Sequence, residues 1–486
     1  MTLIDQVRAA LADAIAAYEG SPAARALDAA RSRLDEPLRV ALAGKVKAGK
    51  STLLNALLGE ELAPTDAGEC TRIVTWYQDG PTYQVMVEPV GEDPRPTQYT
   101  RDAGAIEISL DGVDAAKVHR LIVQWPLAAL RHTTLIDTPG IESLSMDVSA
   151  RAKAFLSPED DQPTAADAVL YLMRHLHAGD VRFLETFHDD DMARATPVNA
   201  IGVLSRADEI GVARLDAMES ARRIAERYRR DTNVRALCQT VVPVAGLLAQ
   251  AGSTLRQEEF RALGILAALP AEDRNAALLS VDRLRSERLR IGLTPEERDH
   301  LLLRFGLFGI RLSTQLLSDG VAASAPQLAE HLVGASGLPE LRAVLNTQFT
   351  ERRDVLKARA GLLALEAAFR DHPHPRGEEL AAQVERIEAG AHEFTEVRLL
   401  NALRTRDVGF DADEVAEAER LLGAQGSSPS ARLGASGGGG DDLLALARDR
   451  QASWQAKAES PFSSKETADA CRVLVRTCEG LVAALS

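Results

Sequence analysis

The sequence predicts an α/β domain, built on a mostly parallel sheet with helices on its faces, joined to an elongated all-helical bundle. Three observations point there. Between about residues 37 and 247, short β-like runs alternate with helical patterns, the alternation that builds parallel sheets. From about 248 onward nearly every segment has helical apolar spacing, and several exceed the usual globular helix length. At the head of the alternating region stands a phosphate-loop motif in a strand–loop–helix context.

Composition sets outer bounds. The chain has 486 residues, 45% apolar and 26% charged, enough to bury a sizeable core. A net charge of -15 opposes non-specific binding to polyanions. Aromatics at 4% leave no stacking platform, so no nucleic-acid role is expected. Cys70, Cys238, Cys471 and Cys478 are too few and scattered for a disulfide scaffold or a thiolate metal cluster. The N-terminal run mixes Asp and Glu among its apolar residues, unlike a secretory signal, and no uncharged apolar stretch reaches the roughly 18 residues of a spanning helix. The expectation is a soluble, cytoplasmic protein.

The elements follow in order. Ile4, Val7, Leu11 and Ile15 recur at helical spacing, and a second helix runs from Ala23 to Leu34 after the Gly20-Ser21-Pro22 break. Strands are expected at Leu38–Ala43, Ile73–Tyr77, Tyr83–Val87, Ala105–Ser109, Arg120–Trp125, Thr133–Ile136, Ala168–Leu172, Ala200–Leu204 and Thr240–Val244. Helices at Ser51–Leu58 and Ala213–Arg230 lie between them. Helical segments then cover about 254–269, 274–291, 295–318, 323–333, 338–371 and 377–423. Residues 424–442, with four glycines at 437–440, are expected to be a disordered connector, and helices return at 443–458 and 464–484. The most apolar long segment, 301–317, has two readings. One is a helix buried in the bundle. The other is a membrane-inserting tip, led by Phe305 and Phe308 with Arg304 and Arg311 beside them; residues 318–326 are a second candidate tip.

Four motifs carry chemistry. In GKVKAGKS, Gly44, Gly49, Lys50 and Ser51 match G-x-x-x-x-G-K-[ST]. Glycines let the backbone wrap a polyphosphate, and the helix that follows presents its N-terminus to the anion. Lys50 would reach the β- and γ-phosphates and Ser51 would offer its hydroxyl to Mg²⁺, with Lys45, Val46, Lys47, Ala48 and Thr52 completing the cradle. Three of only eight lysines, Lys45, Lys47 and Lys50, fall in this loop. Next, Asp137-Thr138-Pro139-Gly140 follows a strand end. There Asp137 would orient the metal through water, and the N–H of Gly140 would meet the γ-phosphate. In Ser205-Arg206-Ala207-Asp208, the Asp208 carboxylate can accept two N–H bonds from guanine that adenine does not offer, while the stem of Arg206 packs on the base. Finally, in PTDAGECTRIVTWY, Thr71 is the candidate to close over Mg²⁺ and hold the attacking water. Thr65 and Thr75 compete with it, and the sequence does not separate the three. Cys70 has no partner base beside it and reads as a small buried neighbour.

VALAGKVKAGKSTLLNALLG, LAPTDAGECTRIVTWY, DTPG and SRAD, in this order, resemble the bacterial dynamin-like proteins, closest to the isoniazid-inducible actinobacterial subgroup. The likeness covers roughly 36–250. It implies a P-loop GTPase domain at 37–250 that hydrolyses GTP with Mg²⁺. It also implies N-terminal helices at 1–36 packing on the neck, a helical neck and trunk at 251–423 with a membrane tip placed near 301–326 as one reading, a linker at 424–442 and C-terminal helices at 443–486 returning to the neck. Carried onto this chain, the catalytic set is Lys50, Thr71, Lys47 and Gly140. Ser51, Thr71 and Asp137 would hold the metal. Ser205, Arg206, Asp208 and Ala245 would surround the base. Implied partners are a second copy through the GTPase heads, or a larger dynamin-like paralogue, and peripheral lipid at the inner face of the plasma membrane. Output would be membrane tethering or remodelling, or else a nucleotide-controlled protein switch. The chain departs from animal dynamins at Val46-Lys47, where those carry Gln-Ser. The Lys47 ammonium can stand in for a bound cation near the bridging oxygen, or face solvent or a partner head.

Overall fold

The computed structural model describes residues 2–64, 73–102, 105–110, 113–140, 166–174, 200–405, 408–435 and 440–486. Its strands are β1 (Leu38–Gly44), β2 (Thr75–Asp79), β3 (Gln84–Pro89), β4 (Arg95–Pro96), β5 (Tyr99–Asp102), β6 (Ala105–Ile108), β7 (Val118–Trp125), β8 (Thr133–Asp137), β9 (Ala168–Met173), β10 (Ala200–Ser205) and β11 (Val241–Val244). Nine of them form one sheet in the order β11-β10-β9-β1-β8-β2-β7-β3-β4, while β5 pairs with β6. From β11 to β8 every pairing is parallel. Beyond it β2 turns antiparallel to β8, β7 runs parallel to β2, and β3 lies antiparallel to β7. The sheet is therefore mixed and mostly parallel, as the alternation predicts.

Burial follows from that topology. Strands β9, β10 and β11 are buried at every position, because helices cover both faces and a continuous apolar run is then required. β3 alternates between buried and half-buried residues, as a strand with one wetter face does. Ala41, Tyr171 and Leu204 share one core with residues of the helices Ala217–Arg230, Gly246–Ser253, Gln257–Ala267 and Pro295–Ser318. Leu42, Leu170 and Val203 share another with the Lys50–Leu58 and Leu338–Leu345 helices. Since β1 lies between β8 and β9, the end of β1 opens at the crevice where α/β sheets bind ligands.

Two further cores hold the remaining helices. Leu3–Ala17 and Pro22–Arg33 pack with Arg353–Asp371 and Gly377–Gly390. The long C-terminal pair, Gly440–Ala458 and Lys465–Leu485, packs instead with His392–Thr405 and Ala412–Leu421. No helix among the described residues is long and apolar enough to cross a membrane.

Several expectations are corrected. Strands β4 and β5 escape the sequence reading because they are short and interrupted by proline and charge. The long segment 377–423 is three helices, with an extended Ala391 and the N-cap Asp411 marking breaks. The segment 338–371 is split by a π turn at Asn346–Thr350. Of the two readings of 301–317, the burial supports the bundle helix for its phenylalanines: Phe305 is 0% and Phe308 2% exposed, packed in one cluster with Leu248, Leu263 and Ile310, while Leu303 is exposed. Arg304 is spent inside, on Glu61 and Glu259, and the half-buried Arg311 bonds the carbonyls of Ala213 and Leu278. In the turn that follows, Val321 is exposed but Ala322 is buried. Residues 424–435 are ordered structure and not a bare connector. Pro429–Leu433 is a helix with Leu433 buried, Ser427 donates its N–H to Glu351 at 2.9 Å, and Arg432 pairs with Glu396. Leu433, Arg432 and the Ser427–Glu351 bond together anchor a stretch whose composition is poor in apolar bulk.

Candidate nucleotide site

The candidate site lies at the C-terminal ends of β1, β8, β10 and β11. After Gly44 the chain turns through Lys47 (φ 61°) and Gly49 (φ 93°), both left-handed, into the Lys50–Leu58 helix. A left-handed lysine is uncommon and marks a loop shaped for something other than local comfort. Its side chain is exposed, as is that of Val46, whereas Ala48 is buried and Lys45 half-buried. Lys50, at 9% exposure, folds back over the loop with its ammonium 3.3 Å from the Gly44 carbonyl and 3.5 Å from that of Lys45. Burial pulls its pKa down, against the opposing pull of Asp137. These are positions where anionic oxygens would be welcome.

Asp137 ends β8. The Ser51 hydroxyl donates to its Oδ2 at 2.7 Å, while Oδ1 is buried without a partner. Burial pushes this carboxyl up, and Lys50 and Ser51 partly counter it. A hydroxyl and a carboxylate with one unused oxygen are hard donors that fit Mg²⁺, which takes few protein ligands and completes its shell with water and phosphate oxygens. Among the described residues no cluster of three or more His, Cys, Asp or Glu side chains offers a separate metal cage. Thr138 donates its hydroxyl to the Leu42 carbonyl at 2.7 Å, tying the segment to β1. A Cβ at Gly140 would lie 2.5 Å from Val46 Cγ2, so only glycine lets this segment press against the phosphate loop.

The third motif closes the other end. Ser205 spends its hydroxyl on the Met173 carbonyl at 3.2 Å, within the sheet. Arg206, left-handed at φ 53°, bonds the Lys47 carbonyl at 3.0 Å and Glu209 at 2.7 Å, so its guanidinium bridges to the phosphate loop. Asp208 is 8% exposed, and burial pushes its carboxyl up to about 6. Ala48, Gly49 and Thr52 line one cavity with Ser205, Arg206, Asp208, Val244, Gly246 and Leu247. Ala245 is fully buried, and its N–H donates to the Ser336 carbonyl; its neighbours face the cavity instead.

Of the three threonines, Thr65 and Thr71 lie outside the described residues, as does Cys70. Thr75 is the first residue of β2, buried, opposite Asp137 in register, with its hydroxyl 3.3 Å from the Ile73 carbonyl. Two contributors escaped the sequence reading. Asn55 bonds the Ala63 carbonyl at 2.9 Å and accepts from the N–H groups of Leu62 and Ala63, fastening the segment that follows the phosphate-loop helix. A lone Asn in TLLNALLG was its available signal. Leu247 had none, being one leucine among many.

Residues 40–204 match the model of the dynamin family. The chain is 42% identical over 493 aligned residues to the isoniazid-induced protein IniC of Mycobacterium tuberculosis, in each of two strains, covering 100% of this chain and 99% of that one. It is 28% identical over 164 residues to a bacterial dynamin-like protein of Nostoc punctiforme, covering 31% of this chain and 22% of that one. Among solved structures, a chain of an oligomerised bacterial dynamin pair, described as a mechanism for long-range sensing and tethering of membranes, aligns at TM-score 0.32 and 12% identity, covering 99% of this chain and 74% of that one.

Proposed function

The chain belongs to the dynamin family, and on that premise we propose that it is a GTP phosphohydrolase whose nucleotide state controls association of its heads and peripheral contact with a membrane. The observation that carries this reading is a cavity lined by both the phosphate loop and Asp208, with the Ser51–Asp137 pair near it.

In this reading the loop N–H groups and Lys50 bind the polyphosphate and stabilise the charge that moves during transfer. Ser51 and Asp137 would hold Mg²⁺, and Thr71 is the candidate to add a third hydroxyl or carbonyl ligand. When bound, the metal neutralises charge on the β- and γ-oxygens. Gly140, close against Val46, would offer its N–H to the γ-phosphate. Asp208 accepts the two guanine N–H donors, and Arg206 braces the base motif against the phosphate loop. Thr71 and backbone groups would be left to orient water, from which slow basal turnover is expected.

The test is nucleotide affinity and GTP turnover with Mg²⁺ for wild type, Lys50→Ala and Asp208→Asn. Wild type should prefer GTP to ATP, Lys50→Ala should lose turnover by about a hundredfold or more, and Asp208→Asn should lose the guanine preference. A folded wild type with no affinity for any guanine nucleotide would end this reading.

Association is proposed through the heads, between copies or with a larger dynamin-like paralogue, and lipid contact at the inner face of the plasma membrane. The burial of Phe305 and Phe308 favours a second reading, a nucleotide-controlled switch for protein partners that never deforms lipid. Liposome flotation and microscopy with GTP, GDP and a non-hydrolysable analogue separate the two.

A further inference from the structure

The helix Pro295–Ser318 reaches the candidate site from the C-terminal half of the chain, and it is broken there. Gly306 has φ 62° and ψ 176°, non-helical values inside an otherwise continuous helix, in a region that side-chain-bearing residues avoid. A Cβ on Gly306 would lie 3.8 Å from Asp208 Oδ2 and 3.5 Å from Leu247 Cδ2. The helix backbone therefore comes down beside the carboxylate and the Leu247 side chain with nothing projecting between them. The break is held from both sides. Just before it, Arg304 pairs with Glu259 at 2.7 Å and with Glu61. Phe305 and Phe308 are sunk in the core.

We propose that Gly306 is a specificity-determining position of the base pocket: the break it makes seats the helix over Asp208 and Leu247 and keeps water from the carboxylate. The inference rests on the guanine-nucleotide reading above. Its chemistry is that of an unpaired buried acceptor. A carboxylate open to water loses little when a base lacks one donor, because water takes the empty place. In a dry pocket the same carboxylate keeps an unsatisfied oxygen, and the penalty is large. Asp208 is 8% exposed. Its raised carboxyl reflects burial first and the Glu209 charge in addition, with its own backbone N–H and Arg206 pulling the other way. Gly306 and Leu247 contribute no charge to this balance. Gly306 acts by position, through Asp208.

The experiment compares GDP with inosine diphosphate, which lacks only the 2-amino donor, so their affinity ratio reports the base edge alone. Calorimetric titrations with Mg²⁺ would use wild type, Gly306→Ala and Leu247→Ala. The first variant forces a side chain onto the break; the second opens the same wall without touching the backbone. Wild type should bind GDP about 10- to 100-fold more tightly, and each folded variant should bring the ratio within about threefold. If Gly306→Ala does not fold, Leu247→Ala decides. A wild-type ratio already within threefold, or an unchanged ratio in any folded variant, overturns this inference alone. A wild type that binds neither nucleotide removes the functional reading with it.

Discussion

Asp208 is expensive to the empty protein. Its folded-state carboxyl, near 6 and above the ordinary 3.8, binds more protons than in the unfolded chain between those values. Stability is therefore lost as pH rises through that window and stays lower above it, a deficit of about 3 kcal/mol at neutral pH. Asp208→Asn should raise the melting temperature of the nucleotide-free protein at pH 7.5 and lose that advantage near pH 4, while guanine binding collapses. A thermal-shift series across pH checks the sign. In wild type, GDP affinity should decline as pH falls below about 6, because protonation removes the acceptor. The neighbouring Lys47, left-handed with its carbonyl held by Arg206 at 3.0 Å, makes a separate prediction. If its ammonium serves the bridging oxygen, Lys47→Ala should cut turnover about tenfold or more with GTP affinity unchanged, and K⁺ should scarcely activate the wild type. Steady-state kinetics with and without K⁺ decide; an unaffected variant returns Lys47 to solvent or a partner head.

At the scale of elements, one buried carboxylate ties four of them. Asp167, directly before β9, pairs with Arg33 at 2.7 Å and Lys357 at 2.9 Å and accepts the Arg39 N–H at 2.9 Å. It thus joins the Pro22–Arg33 helix, β1, β9 and the Arg353–Asp371 helix, and Lys357 adds a bond to the Pro37 carbonyl at 3.1 Å. Burial pushes the Asp167 carboxyl up, but Arg33, Lys357 and the Arg39 amide overcome it and hold the pKa below the ordinary value. Its contribution is present above the unfolded carboxylate pKa and is lost as pH falls below it. Both the Lys357 and the Asp167 side chains are fully buried, so removing Lys357 leaves a buried carboxylate with Arg33 as its remaining cation. Lys357→Ala should cost about 3–5 kcal/mol in urea unfolding. A change under about 1 kcal/mol would mean that Arg33 alone satisfies the carboxylate.

In the whole molecule, an apolar side chain that lipid could take up also stands outside residues 301–326. Phe462 is 96% exposed at the turn between the helices Gly440–Ala458 and Lys465–Leu485, which pack along each other. If the protein binds bilayers through this end, Phe462→Asp should abolish liposome flotation while GTP turnover in solution stays at the wild-type rate. Equal flotation of both would exclude the turn. The Tyr18 hydroxyl donates to the His372 carbonyl at 2.7 Å, so the first helix and the end of the Arg353–Asp371 helix are fastened together although far apart in the chain.

The sequence by itself determined the parts whose causes are local. Glycine spacing, a lysine and a helix start define the phosphate loop, and apolar runs between turn residues define the strands of the parallel half. Asp208 stands out by its place after an apolar strand, and the cavity it lines comes only with the fold. Tertiary structure decided what depends on which surface covers which. Residues 301–317 have the apolar breadth of either a core helix or a lipid tip, and the helices Gly246–Ser253 and Gln257–Ala267 favour the first by covering Phe305 and Phe308. The Leu433 anchor has meaning only beside the helices it joins. Gly306 looks like one more glycine until the helix break sets it against Asp208. Periodicity encodes an element's own faces; the partner of each face is chosen by the whole fold.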